Sequence, residues 1–205
     1  DRAREDREAI AHRLAAERGA VLVPPFDHAD IIAGQGTAAL ELARFARERR
    51  LTIEALYVPC SGGGLVAGSA LAIKAEFPDC TVYAVEPQGF DDTAQSLAAG
   101  KRCRAARTGT TLCDGLMAAM PGAITFAVNR RELAGALVVD DAQVRAAMAF
   151  GARRLKLVLE PSGAAALATV LATPPRARRC IAVMLSGGNV DAELLAEALR
   201  SEEPK

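Results

Sequence analysis

Three short runs of almost uninterrupted apolar residues most constrain the fold: LYVP at 56–59, TVYAVE at 81–86 and CIAVML at 180–185. A strand with one wet face alternates apolar and polar residues. A run that stays apolar belongs to a strand covered on both faces, as in a parallel sheet between helices. Each run leads through a turn into a helical pattern. LYVP passes through CSGGGL into LVAGSALAIKAEF. TVYAVE precedes DDTAQSLAAG, a short helix closing at Gly100. CIAVML passes through SGGN into VDAELLAEALR. A fourth strand, ALVVDD at 136–141, enters a helix with Asp140 or Asp141 as its N-cap, and EPSGAAALATVLA gives a further helix. The alternation predicts an α/β fold with a doubly wound, mostly parallel sheet.

Upstream, Ile10, Ala11 and Leu14 recur at helical spacing and Gly19 sits where that helix would end. AVLVP at 20–24 reads as a short strand. After PPFDHAD, the segment GQGTAALELARFARERR reads as an amphipathic helix started by its glycine. The chain opens without Met inside a charged helical pattern, so a preceding segment is expected.

Composition removes several function classes. The 205 residues are 51% hydrophobic, enough for a sizeable core. Net charge is zero with the two signs interspersed, so neither a nucleic-acid partner nor an acidic tail is expected. No apolar run reaches membrane-span length and no signal-peptide pattern is present. The five cysteines are scattered without a C-x-x-C pair, which points to reduced thiols in the cytoplasm. His12 and His28 are the only histidines, which argues against a His-based triad or a His-rich zinc site.

CSGGGL is the main chemical signal. Lying between a strand and a helix, its glycines let the backbone approach a ligand, and the helix N-terminus offers free N–H groups and partial positive charge. A phosphate is the natural guest, though no Lys-Ser/Thr follows as in a Walker A loop. Two other readings stand beside it. Gly62-x-Gly64-x-x-Ala67, with Glu86 ending the next strand, fits a dinucleotide fingerprint. A plain strand-to-helix turn needs no ligand at all. SGGN at 186–189 is a second polar glycine turn after a buried-looking strand. Two such turns share the carboxyl edge of a parallel sheet, where ligands bind, and the Ser186 hydroxyl can meet a ring nitrogen.

Six segments in order, PPFDHADIIAGQGT, VPCSGGGLVAG, AVEPQGFDD, TLCDGL, LEPSGAAALA and LSGGNVD, span roughly residues 24 to 191. Together they resemble the fold-type II pyridoxal-phosphate enzymes of the threonine/serine dehydratase and serine racemase family. The ordered set displaces the dinucleotide reading. The resemblance implies that Ser61, Gly62, Gly63 and Gly64 wrap the cofactor phosphate with backbone amides, Ser61 standing where the family has its first glycine. It implies that Ser186 bonds the pyridine nitrogen. A neutral hydroxyl there leaves the ring unprotonated, which moderates the electron sink and suits β-elimination. Glu160 matches the Glu of the family's EPSGA segment, on the ring side of the site.

The same resemblance places a divalent cation on Glu86, the Phe90 carbonyl and Asp92. Hard oxygen donors of this kind suit Mg²⁺, Ca²⁺ or Mn²⁺. Read without the resemblance, Asp91 and Asp92 are a helix N-cap and solvated surface.

The family's Schiff-base lysine lies in an upstream Ser-x-Lys-x-Arg-like segment. None of the four lysines, Lys74, Lys101, Lys156 and Lys205, lies in such a segment, and all read as surface. The catalytic lysine is therefore expected outside these residues, and the chain is expected to be the C-terminal part of the enzyme. Residues 1–33 are expected to be the tail of the small domain and 34–205 the large cofactor domain, in a homodimer without an appended regulatory domain. The implied reaction converts L-threonine or L-serine to a 2-keto acid and ammonia. Dehydration of 3-hydroxyaspartate and serine racemisation share the motifs. A noncatalytic ligand-binding homologue is the alternative of another class, and an NAD-dependent oxidoreductase a weaker one.

Overall fold

The computed structural model describes residue 5 and residues 7–106, 108–173 and 180–200, with no side-chain description at 7 and 8. Four parallel strands form one sheet: β1 (Ala55–Pro59), β2 (Thr81–Pro87), β3 (Leu133–Val139) and β4 (Ile181–Val183), in the order β3-β2-β1-β4. The helices are α1 (Arg7–Arg18), α2 (Ala29–Glu48), α3 (Gly64–Glu76), α4 (Asp92–Ala99), α5 (Ala123–Glu132), α6 (Asp141–Phe150), α7 (Pro161–Ala172) and α8 (Ala192–Arg200). No described helix is long and apolar enough to cross a membrane.

The strands are covered on both faces, as their apolar runs require. Successive side chains of a strand point to opposite faces. Leu56 and Val58 of β1 and Val82 and Ala84 of β2 join the core that α2 and α3 cover. Tyr57 and Val85 join the core that α6, α7 and α8 cover. Tyr57 and Tyr83 pair across β1 and β2, with stacked rings 5.3 Å apart. In α7 every residue from 161 to 168 is buried. A helix apolar all round belongs inside a core.

Local structure departs from the sequence expectations at five places. AVLVP at 20–24 forms no strand; Val21 and Val23 are 89% and 66% exposed, and β1–β4 pair only with one another. Residues of high strand propensity do not make a strand without a partner edge. Helix α2 begins at Ala29, five residues before Gly34, and runs without a break through residues 33 and 34. Its N-cap is His28, whose Nδ1 accepts the Asp30 N–H. The α2 glycines are not a start signal. A Cβ on Gly36 would stand 2.7 Å from the Gly68 carbonyl of α3, so the two backbones touch there. Strand β3 starts at Leu133, three residues early, and β4 keeps only Ile181–Val183. Helix α5 had no counterpart in the sequence reading.

The N-cap of α6 is Asp140. Its Oδ1 accepts the Gln143 N–H at 2.8 Å, and the Gln143 side chain accepts the Asp140 N–H at 2.9 Å, a reciprocal capping box. Asp141 accepts instead from the Thr111 hydroxyl and the Leu112 N–H, which ties TLCDGL to α6.

Candidate active site

Residues 60–64 leave the carboxyl end of β1 and turn into α3. Gly63 is the N-cap with φ 93°, a left-handed conformation that side chains resist. Among the described residues nothing accepts a hydrogen bond from the backbone N–H groups of Ser61, Gly62, Gly63 or Gly64. Four consecutive donors at a helix N-terminus make an anion cradle.

The carbonyls of this loop are held from behind by α5. The Gly62 carbonyl accepts from the Thr125 hydroxyl at 2.6 Å and from the Gly122 N–H at 3.2 Å. The Gly63 carbonyl accepts from Asn129 Nδ2 at 3.3 Å. Thr125 and Asn129 are four apart, so they share one helix face, and both are fully buried. The start of α5 is held in turn by Asp27, whose carboxylate accepts the N–H groups of Ala123, Ile124 and Thr125 at 2.8, 2.8 and 3.1 Å. Phe26 lies against Gly62, where any Cβ would collide with its ring. Ser61 Oγ accepts from the Ala118 N–H at 3.2 Å.

The second loop lies beside the first. Strand β4 runs parallel to β1, and the Met184 N–H donates to the Tyr57 carbonyl at 2.9 Å, carrying the pairing toward both loops. Ser186 is exposed at this edge. Glu160, at the N-cap of α7, brackets the loop: its N–H donates to the Gly187 carbonyl at 3.1 Å, and its Oε2 accepts from the Asn189 N–H at 3.0 Å. Glu160 thus holds the backbone that presents Ser186.

Glu86 and Asp92 are both fully buried beneath the edge. Glu86 Oε1 and Oε2 accept the N–H groups of Thr93 and Ala94, each at 2.8 Å, so Glu86 caps α4. Asp91 is the N-cap residue by position, but its side chain makes no cap bond and accepts instead from Gln95. Burial lifts the Glu86 carboxyl from 4.5 to about 8; the Thr93 N–H opposes this and the neighbouring Asp92 charge adds to it. Buried against the α4 N-terminus, Glu86 is not placed to reach a ribose. Phe90 is buried close by. No group of three or more His, Cys, Asp or Glu among the described residues is arranged to hold a metal.

All five cysteines are free. Cys60 lies under the glycine loop with its Sγ 3.4 Å from Thr93 Oγ1. Burial, then the Glu86 charge, pushes its thiol well up. Burial also pushes Cys113 to about 12. Neither is a ready nucleophile. Lys74 lies near the far end of α3, bonded to the Glu132 carbonyl and 3.7 Å from its carboxylate. Lys101 and Lys156 are exposed, and Lys205 lies outside the described residues.

The sequence profile of the pyridoxal-phosphate dependent enzymes matches residues 1–187. The chain belongs to that family. It is 39% identical over 200 residues to an L-threo-3-hydroxyaspartate ammonia-lyase of Saccharomyces cerevisiae, covering 97% of this chain and 60% of that protein. To a serine racemase of Oryza sativa subsp. indica it is 42% identical over 201 residues, covering 95% and 58%. A crystal structure of a T.th. threonine deaminase superposes with a TM-score of 0.86 at 40% identity, covering 91% of this chain and 63% of that one. The structure of maize serine racemase gives 0.83 at 40% identity, covering 96% and 60%. The α/β architecture is therefore that of the fold-type II enzymes. The chain spans about 60% of the length of the curated relatives it matches.

For this family member the sequence had singled out Ser61, Gly62, Gly63, Gly64, Glu160 and Ser186. The structure places Ser61, Gly62, Gly63, Gly64 and Ser186 on the two neighbouring loops at the carboxyl edge of β1 and β4, with Glu160 at the N-cap of α7 bonded to the second loop. It also exposes three residues that the reading passed over: Asp27, Thr125 and Asn129. Asp27 lay inside a quoted segment without a role. Thr125 and Asn129 had one visible signal, a polar pair at helical spacing.

Proposed function

We propose that the protein is a pyridoxal-phosphate-dependent ammonia-lyase acting on a small 3-hydroxy amino acid, with L-threonine and L-serine as first substrates. The observation that carries this reading is the set of four backbone N–H groups at 61–64 with no acceptor among the described residues, set beside the Ser186 loop in a member of this family. The cradle suits a doubly charged phosphate. When bound, pyridoxal phosphate supplies an electron sink for the charge left when an amino acid loses its α-proton. The chain's own part is to bind and orient. The amides of 61–64 would hold the phosphate, and the Ser186 hydroxyl would meet the ring nitrogen as a neutral partner. Glu160 keeps that hydroxyl in place through its bonds to Gly187 and Asn189.

L-threo-3-hydroxyaspartate is the second substrate reading. It is favoured by 39% identity across 97% of the chain to an ammonia-lyase named for that substrate. The deciding experiment uses the full-length protein loaded with pyridoxal phosphate. Keto-acid release is followed with L-threonine, L-serine and L-threo-3-hydroxyaspartate, and serine enantiomers are separated in parallel. Release from threonine or serine at the highest kcat/KM supports the first reading. Preference for hydroxyaspartate replaces its substrate, dominant racemisation replaces its reaction, and failure to take up the cofactor overturns it.

We extend the reading to a divalent cation on Glu86, Asp92 and the Phe90 carbonyl. Its support is the burial of two carboxylates close enough for Asp92 to raise Glu86. A hard cation would relieve that repulsion, with water completing its shell.

A further inference from the structure

We propose that α5 is the positioning element of the anion cradle, and that Thr125 and Asn129 select for the phosphate group by fixing the carbonyls of Gly62 and Gly63. The proposal rests on the reading of residues 61–64 as a phosphate site. Each peptide plane carries its C=O and N–H in opposite directions. Pinning the Gly62 and Gly63 carbonyls toward α5 therefore turns the N–H groups of Gly63 and Gly64 the other way. Gly62 O has two donors from α5 and its leading residue, Thr125 at 2.6 Å and Gly122 at 3.2 Å. Asn129 reaches Gly63 O at 3.3 Å, while its own Oδ1 is buried without a partner among the described residues. A fully buried amide with an unsatisfied oxygen is a costly way to fill space. Its evident contact is the donation from Nδ2. Gly63 leaves room for that contact, since a Cβ there would stand 2.6 Å from Asn129 Nδ2.

The arrangement also explains why three glycines tolerate one another. A glycine run has the most backbone freedom of any sequence. Left to itself it would sample many orientations, and the cost of ordering it would fall on ligand binding. Two buried side chains and two backbone N–H groups, Gly122 on the Gly62 carbonyl and Ala67 of α3 on the Gly63 carbonyl at 3.0 Å, remove that freedom before any ligand arrives.

The test uses the full-length enzyme and two ligands that differ only in the phosphate, pyridoxal 5′-phosphate and pyridoxal, titrated by their visible absorption on binding. Thr125→Val keeps the shape and deletes the hydroxyl; Thr125→Ser keeps the hydroxyl; Asn129→Leu deletes the amide. The expected result is an about tenfold weaker affinity for pyridoxal 5′-phosphate in Thr125→Val and Asn129→Leu. Pyridoxal affinity should stay within about twofold, and Thr125→Ser should keep near-native values. Equal weakening toward both ligands, or no change, overturns the proposal and leaves the pair a packing role. Failure of both Thr125→Val and Asn129→Leu to fold overturns it in the same sense. If the unaltered enzyme shows no preference for the phosphorylated ligand, the phosphate-site reading fails first, and that outcome is distinct from the others.

Discussion

Asp27 lies 98 residues before Thr125 in sequence, and its Oδ1 accepts the Thr125 backbone N–H at 3.1 Å. The same carboxylate takes the N–H groups of Ala123 and Ile124. One half-buried acidic residue on the segment before α2 thereby satisfies three orphan donors of α5 and sits on the positive end of its dipole. Because α5 backs the glycine loop, this long-range cap connects the start of the chain to the phosphate cradle.

Replacing Asp27 by alanine should destabilise the protein by about 0.5–2 kcal/mol, the usual range for a lost N-cap. Asp27→Asn should recover part of the loss, since it keeps one acceptor oxygen. Urea denaturation of the three proteins measures this. A stability unchanged in Asp27→Ala would mean that α5 needs no cap from Asp27.

Gly63→Ala should damage the cradle more than the core. The residue has φ 93°, a conformation that costs an L-residue roughly 1–3 kcal/mol, and the new methyl would press on Asn129. The cheapest relief is rotation of the loop, which spoils the alignment of its N–H groups. Pyridoxal 5′-phosphate affinity should fall at least about tenfold. Gly100 has φ 66° with nothing within 4 Å of a Cβ, so Gly100→Ala is the control for backbone strain alone. Equal losses in affinity from both variants would contradict a local effect at Gly63.

The parallel strands and both loops were readable because their cause is local. A strand covered on both faces must be apolar throughout, and a turn onto a helix N-terminus wants glycine. Helix α5 was not readable in the same way. Its sequence AITFAVNRRE contains β-branched Ile124, Thr125 and Val128, which lower helix propensity. Its cap comes from Asp27, far away in the chain. The start of α2 was misplaced because Gly34 and Gly36 look like boundary residues, whereas Gly36 is small to let α3 approach. AVLVP carried strand chemistry without an edge to pair with. Glu86 showed its carboxylate but not its two backbone donors, which a helix turn brings back to it.

Ser186→Ala should lower kcat for ammonia release by roughly five- to tenfold, the worth of one hydrogen bond of about 1 kcal/mol. The exposed position predicts little change in melting temperature. Glu160→Gln should act on the same step more weakly, because the loop loses charge on its bracket but keeps an acceptor for Asn189. A Ser186→Ala enzyme with unaltered kcat would remove Ser186 from the ring nitrogen.

Glu86 should make stability fall as pH rises across the neutral range. In the unfolded chain its carboxyl loses a proton near its ordinary value of 4.5, whereas in the fold burial holds that proton to about 8. Between these values the folded protein binds more protons than the unfolded one, so rising pH favours unfolding. Below about 4.5 both states are protonated and above about 8 both are ionised, and the contribution to the slope vanishes. Other carboxylates add slopes of their own, so the informative quantity is a difference. Urea midpoints of the unaltered protein and of Glu86→Gln, measured from about pH 5 to about pH 8.5 in chelator, should lie closest at low pH, where both side chains are neutral, and separate toward high pH as the parent alone loses stability. Adding Mg²⁺ should restore part of the parent's stability at about pH 8 and leave the variant unmoved, since a cation favours the ionised carboxylate. Parallel curves for the two proteins would show that Glu86 is already ionised in the fold. A Mg²⁺ response that survives in Glu86→Gln would move the cation away from this carboxylate.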